Sequence, residues 1–194
     1  MNPPRRLVVA ISGSSGPHYG VRLIEVLRER TDIEIHAIVT RGARATITYE
    51  MGIDPDSVVE KAHVVHDEGN LAASIASGTY ATDGMIVAPC SIRSLAAIAN
   101  SLNDTLVTRA ADVTLKERRP LVLVVRETPL HLGHLRQMTQ VTESGAVVLP
   151  PVPGFYHSPT EIGDLIDHTV TKVLDLFGIR LDLIRRWEGP SRPK

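Results

Sequence analysis

The residues best suited to chemistry in this chain concentrate between Arg109 and Glu127, RAADVTLKERRPLVLVVRE. Arg109, Lys116, Arg118, Arg119 and Arg126 surround an apolar run, Leu121 to Val125. Guanidinium and ammonium groups gathered around one strand suit an anionic ligand, above all a phosphate. Arg109 and Lys116 are about two helical turns apart and share one face of a helix that also carries Asp112. Arg126 and Glu127 stand at the carboxyl end of the apolar run, the end of an open α/β sheet where ligands bind. A carboxylate there is either a general acid/base or the ion-pair partner of a neighbouring cation, and its burial decides which. Arg118 and Arg119 read as solvated charge.

Two loops could bring a ligand to those groups. Gly13-Ser14-Ser15-Gly16 follows an apolar segment and precedes an amphipathic one. Glycines allow close backbone approach, and a helix start offers free N–H groups to an anion. The loop lacks the full GxGxxG pattern, so an ordinary tight turn is the competing reading. Pro89-Cys90-Ser91-Ile92-Arg93-Ser94 repeats the arrangement after GMIVA, with Ser91 also readable as a helix cap. Cys90 is a candidate nucleophile, though a buried inert thiol is the commoner case. His131 and His134 lack a third ligand, and the sequence has no HExxH, CxxC or DDxxD motif, so no metal is expected. Tyr156 lies in the proline-rich stretch PPVPGFYHSP, stiff enough to aim a phenol. Lys172 taken alone reads as surface charge.

The elements that must position these residues alternate. Strands are expected at Arg6 to Ser12, Glu34 to Val39, Ala62 to His66, Gly84 to Ala88, Leu121 to Val125 and Ala146 to Leu149. Helices are expected at Pro17 to Arg30, Ala43 to Glu50, Asp56 to Lys61, Ala72 to Ser77, Ile92 to Asn100, Asp104 to Arg118, Leu132 to Glu143 and Thr160 to Phe177, the last with Thr160 as N-cap. Such alternation implies an α/β fold, a three-layer Rossmann-like (flavodoxin-like) parallel sheet with helices on both faces. A length of 194 residues fits one domain over residues 1–188, with 189–194 as a flexible tail. The net charge of −1 argues against nucleic acid as a partner. No apolar run is long enough to span a membrane. The single cysteine fits a reducing cytoplasm.

Taken together, Gly13 to Gly16, SGTYATDGMIVAPCS (Ser77 to Ser91), RAADVTLKERRPLVLVVRETPL (Arg109 to Leu130), HLGHLRQMT (His131 to Thr139) and GAVVLPPVPGFYHSP (Gly145 to Pro159) closely resemble the flavin prenyltransferases of the UbiX type. The resemblance runs from about Arg6 to Trp187. It implies a metal-independent enzyme that joins the dimethylallyl group of dimethylallyl monophosphate to N5 and C6 of reduced FMN. The product, prenylated FMN, would serve a UbiD-type decarboxylase in ubiquinone biosynthesis or aromatic-acid breakdown. Gly13, Ser14, Ser15, Thr40, Ser91, Ile92, Arg93, Ser94 and Arg126 would contact FMN, with Ser15 near N5 as a proton relay. Arg109, Lys116, Glu127, Tyr156 and Lys172 would surround the allylic phosphate, with Ser15, Lys116 and Glu127 catalytic. The resemblance also implies a homo-oligomer, a dodecamer, with sites shared between subunits.

Three positions depart from the family pattern. Thr40 stands where relatives commonly carry Ser, and keeps the hydroxyl. Lys172 stands where many carry Arg, and lacks the bidentate fork. Leu71 stands where some carry a Trp that covers the prenyl group. Two other readings remain: an FMN-dependent cysteine decarboxylase, against which the missing PxMNxxM segment counts, and a non-catalytic FMN-carrying subunit of an aromatic-acid decarboxylase.

Overall fold

Hydrophobic runs that stay apolar on both faces belong in the middle of a parallel sheet, and six strands take that role. β1 (Arg5–Ile11), β2 (Ile33–Val39), β3 (Val64–His66), β4 (Gly84–Cys90), β5 (Leu121–Val125) and β6 (Val147–Val148) pair in parallel in the order β3-β2-β1-β4-β5-β6. The computed structural model describes residues 4–187 and Gly189. The expected flexible tail, 189–194, lies outside the described residues apart from Gly189. Without the three-residue edge strand β3 the order is that of flavodoxin; β3 extends it to the Rossmann order. The small edge strand is tied to its neighbour by side chains. His36 on β2 shares a 2.9 Å hydrogen bond with His66 on β3, and its other ring nitrogen meets Glu34 at 2.8 Å.

Side chains alternate across the sheet and feed two cores. Leu7, Val9 and Ile35 pack with α1 (His18–Arg28), α2 (Arg41–Met51), α3 (Pro55–Val59) and α7 (Ile162–Asp175). Val8, Ala10, Met85 and Leu123 pack with α4 (Ile92–Ala99), α5 (Leu106–Lys116) and α6 (Leu132–Glu143). Each fully buried Leu or Ile contributes about 1.5–3 kcal/mol over exposure. The expected three-layer architecture is the one observed, and β5 and α6 have the expected bounds.

Three expectations change. Ala72 to Ser77 is not a helix but a single 3-10 turn, Ser74–Ala76. β4 does not stop before Pro89 but continues to Cys90, because a register shift between Val87 and Cys90 accommodates the proline. Thr160 does not cap α7. The Asp164 carboxylate reaches back to accept the Thr160 and Glu161 N–H groups at 2.6 and 3.2 Å, and the Thr160 hydroxyl donates to it as well.

Candidate active site at the carboxyl edge of the sheet

The chain reverses between β1 and β4, since β2 lies on one side of β1 and β4 on the other. Ligands bind at such a switch point, beyond the strand ends. Backbone bonds extend the sheet's connection past the strands. Thr40 N–H donates to the Ile11 carbonyl at 3.1 Å, Ser12 N–H to Pro89 at 3.2 Å, and Arg126 N–H to Cys90 at 3.2 Å. The Ser12 side chain completes the link: its hydroxyl donates to the Pro89 carbonyl and accepts from Ser91 N–H, both at 2.8 Å. Ser12 is buried, and the sequence reading passed over it; its position between an apolar strand and a glycine turn was the available signal.

Beyond this edge lies a cleft of about 750 Å³ whose lining includes Gly13, Thr40, Gly42, Ser91, Arg93 and Ser94. The volume is ordinary for a cofactor site. Two helix starts face it. Thr40 caps α2 by accepting Ala43 N–H at 3.1 Å, and Ser91 caps α4 by accepting Ser94 N–H at 3.2 Å. Ser91 is therefore a cap and a lining residue at once. The GSSG loop was expected to present the start of α1, but the residues that open α1 do not line this cleft. Gly16 N–H is taken by the Glu50 carboxylate at 2.8 Å. The glycine of consequence is Gly13, where an added Cβ would lie 2.8 Å from the Gly42 Cα. Two backbones thus meet here, and a side chain at Gly13 has no room on that side.

Ser14, Ser15, Ile92 and Arg126 flank the cleft rather than line it. The Ser14 hydroxyl oxygen is buried and has no hydrogen-bond partner among the described residues. Arg126 lies close to Tyr19, whose phenol burial pushes above the ordinary tyrosine range while the guanidinium pulls it back. Burial pushes the Cys90 thiol up to about 12, so at neutral pH it is an uncharged core group and not a nucleophile. The acidic rim was missed in the sequence. Glu68 accepts Arg41 N–H at 2.9 Å, and Asp104 pairs with Arg93 at 3.1 Å. Both lie in loops without a periodic pattern.

The expected phosphate groups fall into separate clusters. On α5, Arg109 donates to the Ala76 carbonyl at 3.1 Å and pairs with Asp112 at 3.2 Å. Lys116 pairs with Glu117, and this ion pair lies against Gly78. The two cations share a face as expected, turned toward the 76–78 segment. Arg119 corrects the sequence reading. It is not solvated charge, since its guanidinium donates to the Gly78 and Tyr80 carbonyls at 2.8 and 3.0 Å and holds that segment in place. Glu127 is exposed, and its Oε1 accepts Thr128 N–H at 3.0 Å. Among the described residues no ion pair holds it.

Tyr156 and Lys172 stand elsewhere. The Tyr156 hydroxyl meets His168 on α7 at 3.0 Å, and Lys172 lies one turn further along the same helix. α7 belongs to the opposite core from α5. One chain therefore brings Tyr156 and Lys172 near each other, but the sheet separates α7 from Arg109 and Lys116. Leu71 is about half-exposed on the 67–73 loop. His131 caps α6 by accepting Gly133 N–H, and its ring lies against that of His134, tilted by 35°. Among the described residues no group of three or more His, Cys, Asp or Glu side chains is placed to hold a metal ion. No described helix is long and apolar enough to cross a membrane.

Comparison with known proteins places this geometry in a family. Residues 1–174 match the Flavoprotein family. The flavin prenyltransferase UbiX of Escherichia coli is 56% identical over 187 residues, covering 95% of this chain and 99% of that protein. The enzyme of the same name from Thauera aromatica is 53% identical, covering 95% and 94%. The crystal structure of AnUbiX in complex with FMN and dimethylallyl pyrophosphate matches with a TM-score of 0.94 at 46% identity, over 97% of this chain and all of that one. A dodecameric FMN-dependent UbiX-like decarboxylase from Escherichia coli matches with a TM-score of 0.93 at 42% identity, over 95% of this chain and all of that one. Similarity at this level over nearly the full length extends to the loops as well as the sheet, and the chain belongs to the UbiX-type flavin prenyltransferases.

Proposed function

We propose that this protein transfers the dimethylallyl group of dimethylallyl monophosphate to N5 and C6 of reduced FMN. The observation that carries the reading is the switch-point cleft, built from the same two loops that the sequence shares with the family. The cleft fits a flavin nucleotide. It offers two capped helix starts to a phosphate, a close Gly13–Gly42 backbone contact at its wall, and a buried Ser14 hydroxyl without a partner among the described residues. Gly13, Ser14, Ser15, Thr40, Ser91 to Ser94 and Arg126 would hold it. Reduced FMN supplies the nucleophilic positions when bound.

The remaining chemistry belongs to side chains. Arg109, Lys116 and Lys172 hold the phosphate of the prenyl donor and stabilise the charge it gains on leaving, as fixed cations do in other phosphate sites. Tyr156 adds a hydroxyl donor. Ser15 hydrogen-bonds at N5 and relays its proton. Glu127 is the acid/base, its carboxylate oriented by Thr128 N–H at Oε1. Alignment of the two substrates turns a bimolecular encounter into a bound one.

The separation of α5 from α7 supports a site shared between subunits of a homo-oligomer, a dodecamer as in the Escherichia coli relative. Residues 1–188 form one domain in this reading. The enzyme works in the cytoplasm without a metal, and its product passes to a UbiD-type decarboxylase. Anaerobic incubation with reduced FMN and dimethylallyl monophosphate, followed by mass spectrometry, should show flavin heavier by one prenyl unit. Unchanged flavin that stays tightly bound would favour an FMN carrier instead. The name of the Escherichia coli relative raises a second reading, a decarboxylase in its own right. Carbon dioxide released from an aromatic acid by the purified protein, with no second enzyme, would favour that reading.

A further inference from the structure

Tyr156 is exposed at the end of a proline-rich loop, yet a compact cluster holds its hydroxyl. His168 Nε2 lies 3.0 Å from the phenol oxygen. The His157 ring stacks on His168 with centroids 5.0 Å apart and planes 5° from parallel. Gly154 closes the cluster: a Cβ there would come within 3.1 Å of the His168 ring and 3.3 Å of the Tyr156 ring. Lys172 stands four residues beyond His168, on the same face of α7.

A phenol has one proton, and a neutral imidazole has one N–H donor and one bare nitrogen. If the phenol donates to a bare Nε2, only its lone pairs face outward, and they repel a phosphate. If Nε2 carries the proton and donates, the phenol proton is free to point at the phosphate, whose dianion accepts only. We propose that His168 is a positioning residue for Tyr156: its Nε2–H donates to the phenol oxygen and turns the phenol proton toward the phosphate of the prenyl donor. This rests on the transferase reading, in which Tyr156 and Lys172 bind that phosphate.

Affinity should therefore depend on the state of the imidazole. The groups around it are Tyr156 and His157 from the loop, Lys172 and Asp164 from α7, and Arg186 from the C-terminal segment, beside Tyr156. Burial, with His157 and Lys172 nearby, lowers the His168 pKa below the ordinary histidine value. At neutral pH the free protein then holds His168 uncharged. A bound phosphate favours the imidazolium, which always carries Nε2–H, so His168 contributes most at low pH and less as pH rises.

The test is calorimetric binding of dimethylallyl monophosphate to protein loaded with oxidised FMN, which cannot turn over. Titrations run from about pH 5.5 to about pH 8, spanning the ordinary histidine pKa of about 6.5. Wild type is compared with His168→Gln, which keeps an amide donor, and His168→Phe, which keeps only a ring. Near pH 8 the Gln variant should stay within about twofold of wild type and the Phe variant should bind roughly 3- to 10-fold more weakly, the scale of one oriented hydrogen bond. The gap between wild type and Phe should widen as pH falls, while FMN affinity stays the same in all three. The titration of the free phosphate is common to every variant and cancels in that ratio, so the ratio reports the bound state. A Phe variant that matches wild type at every pH overturns the proposal, as does a ratio that does not change with pH. If the Phe variant loses FMN as well, the Gln variant decides: retention of the wild-type pH dependence overturns the role of the imidazole. Failure of the transferase reading shows separately, as wild-type protein that leaves the mass of reduced FMN unchanged.

Discussion

The carboxyl edge around Ser12 and the loop around Tyr156 are built in opposite ways. At the edge, the loops after β1, β2, β4 and β5 are bound to one another by backbone hydrogen bonds, and Ser12 is buried between two of them. Tyr156 is exposed, on a loop held by a few ring contacts and one side-chain hydrogen bond. A single chain thus completes the edge where the flavin would sit. It leaves the phosphate groups apart, with Arg109 and Lys116 on one side of the sheet and Lys172 on the other. The contrast teaches that flavin affinity should be a property of the fold, and prenyl transfer a property of the assembly.

The largest expected effect probes chemistry rather than either scaffold. Glu127→Gln should preserve FMN and prenyl-phosphate binding and slow single-turnover transfer by roughly 10²–10⁴-fold. A wild-type rate would reduce Glu127 to an exposed turn residue. Next is the assembly itself. Ser15→Ala and Tyr156→Phe variants, each impaired alone, should regain activity when mixed under conditions that exchange subunits. No rescue despite proven exchange, or an active monomer in sedimentation, breaks the contrast between edge and loop.

Ser12→Ala should act on the edge alone. It removes two buried hydrogen bonds and leaves Ser91 N–H without its acceptor, a loss of about 1–3 kcal/mol. Thermal melting should show lower stability, and FMN titration should show weaker binding. An equal loss of stability from Tyr156→Phe would mean that the loop is as structural as the edge. The smallest expected effect is none. EDTA should leave the transfer rate unchanged, because in the proposed reading the cations of the protein hold the phosphate. Loss of activity with EDTA that magnesium restores would transfer that role to a metal.

Much of the scaffold was legible because the signals are local. LVLVV is apolar on both faces and bounded by charge, so β5 could be placed residue by residue, and α6 also has the bounds expected of it. The errors arose where distant residues decide. Pro89 should have ended β4, but a bulge against β5 carries the strand to Cys90. Arg119 looked like solvated charge until the 78–80 segment was seen folded over it. The third error was local: Glu161, one residue along, is the N-cap in place of Thr160, and the Asp164 carboxylate reaches back to its N–H.

By itself the sequence determined the alternation of strands and helices, the two serine-bearing loops after β1 and β4, and the stock of cations, because periodicity and side-chain chemistry act over a few residues. Only the tertiary structure decided that Ser12 joins the loops, that α2 and α4 rather than α1 present their starts to the cleft, and that α5 and α7 lie on opposite faces. Strand order and crossover set those relations, and they depend on contacts between residues tens of positions apart that no local pattern encodes.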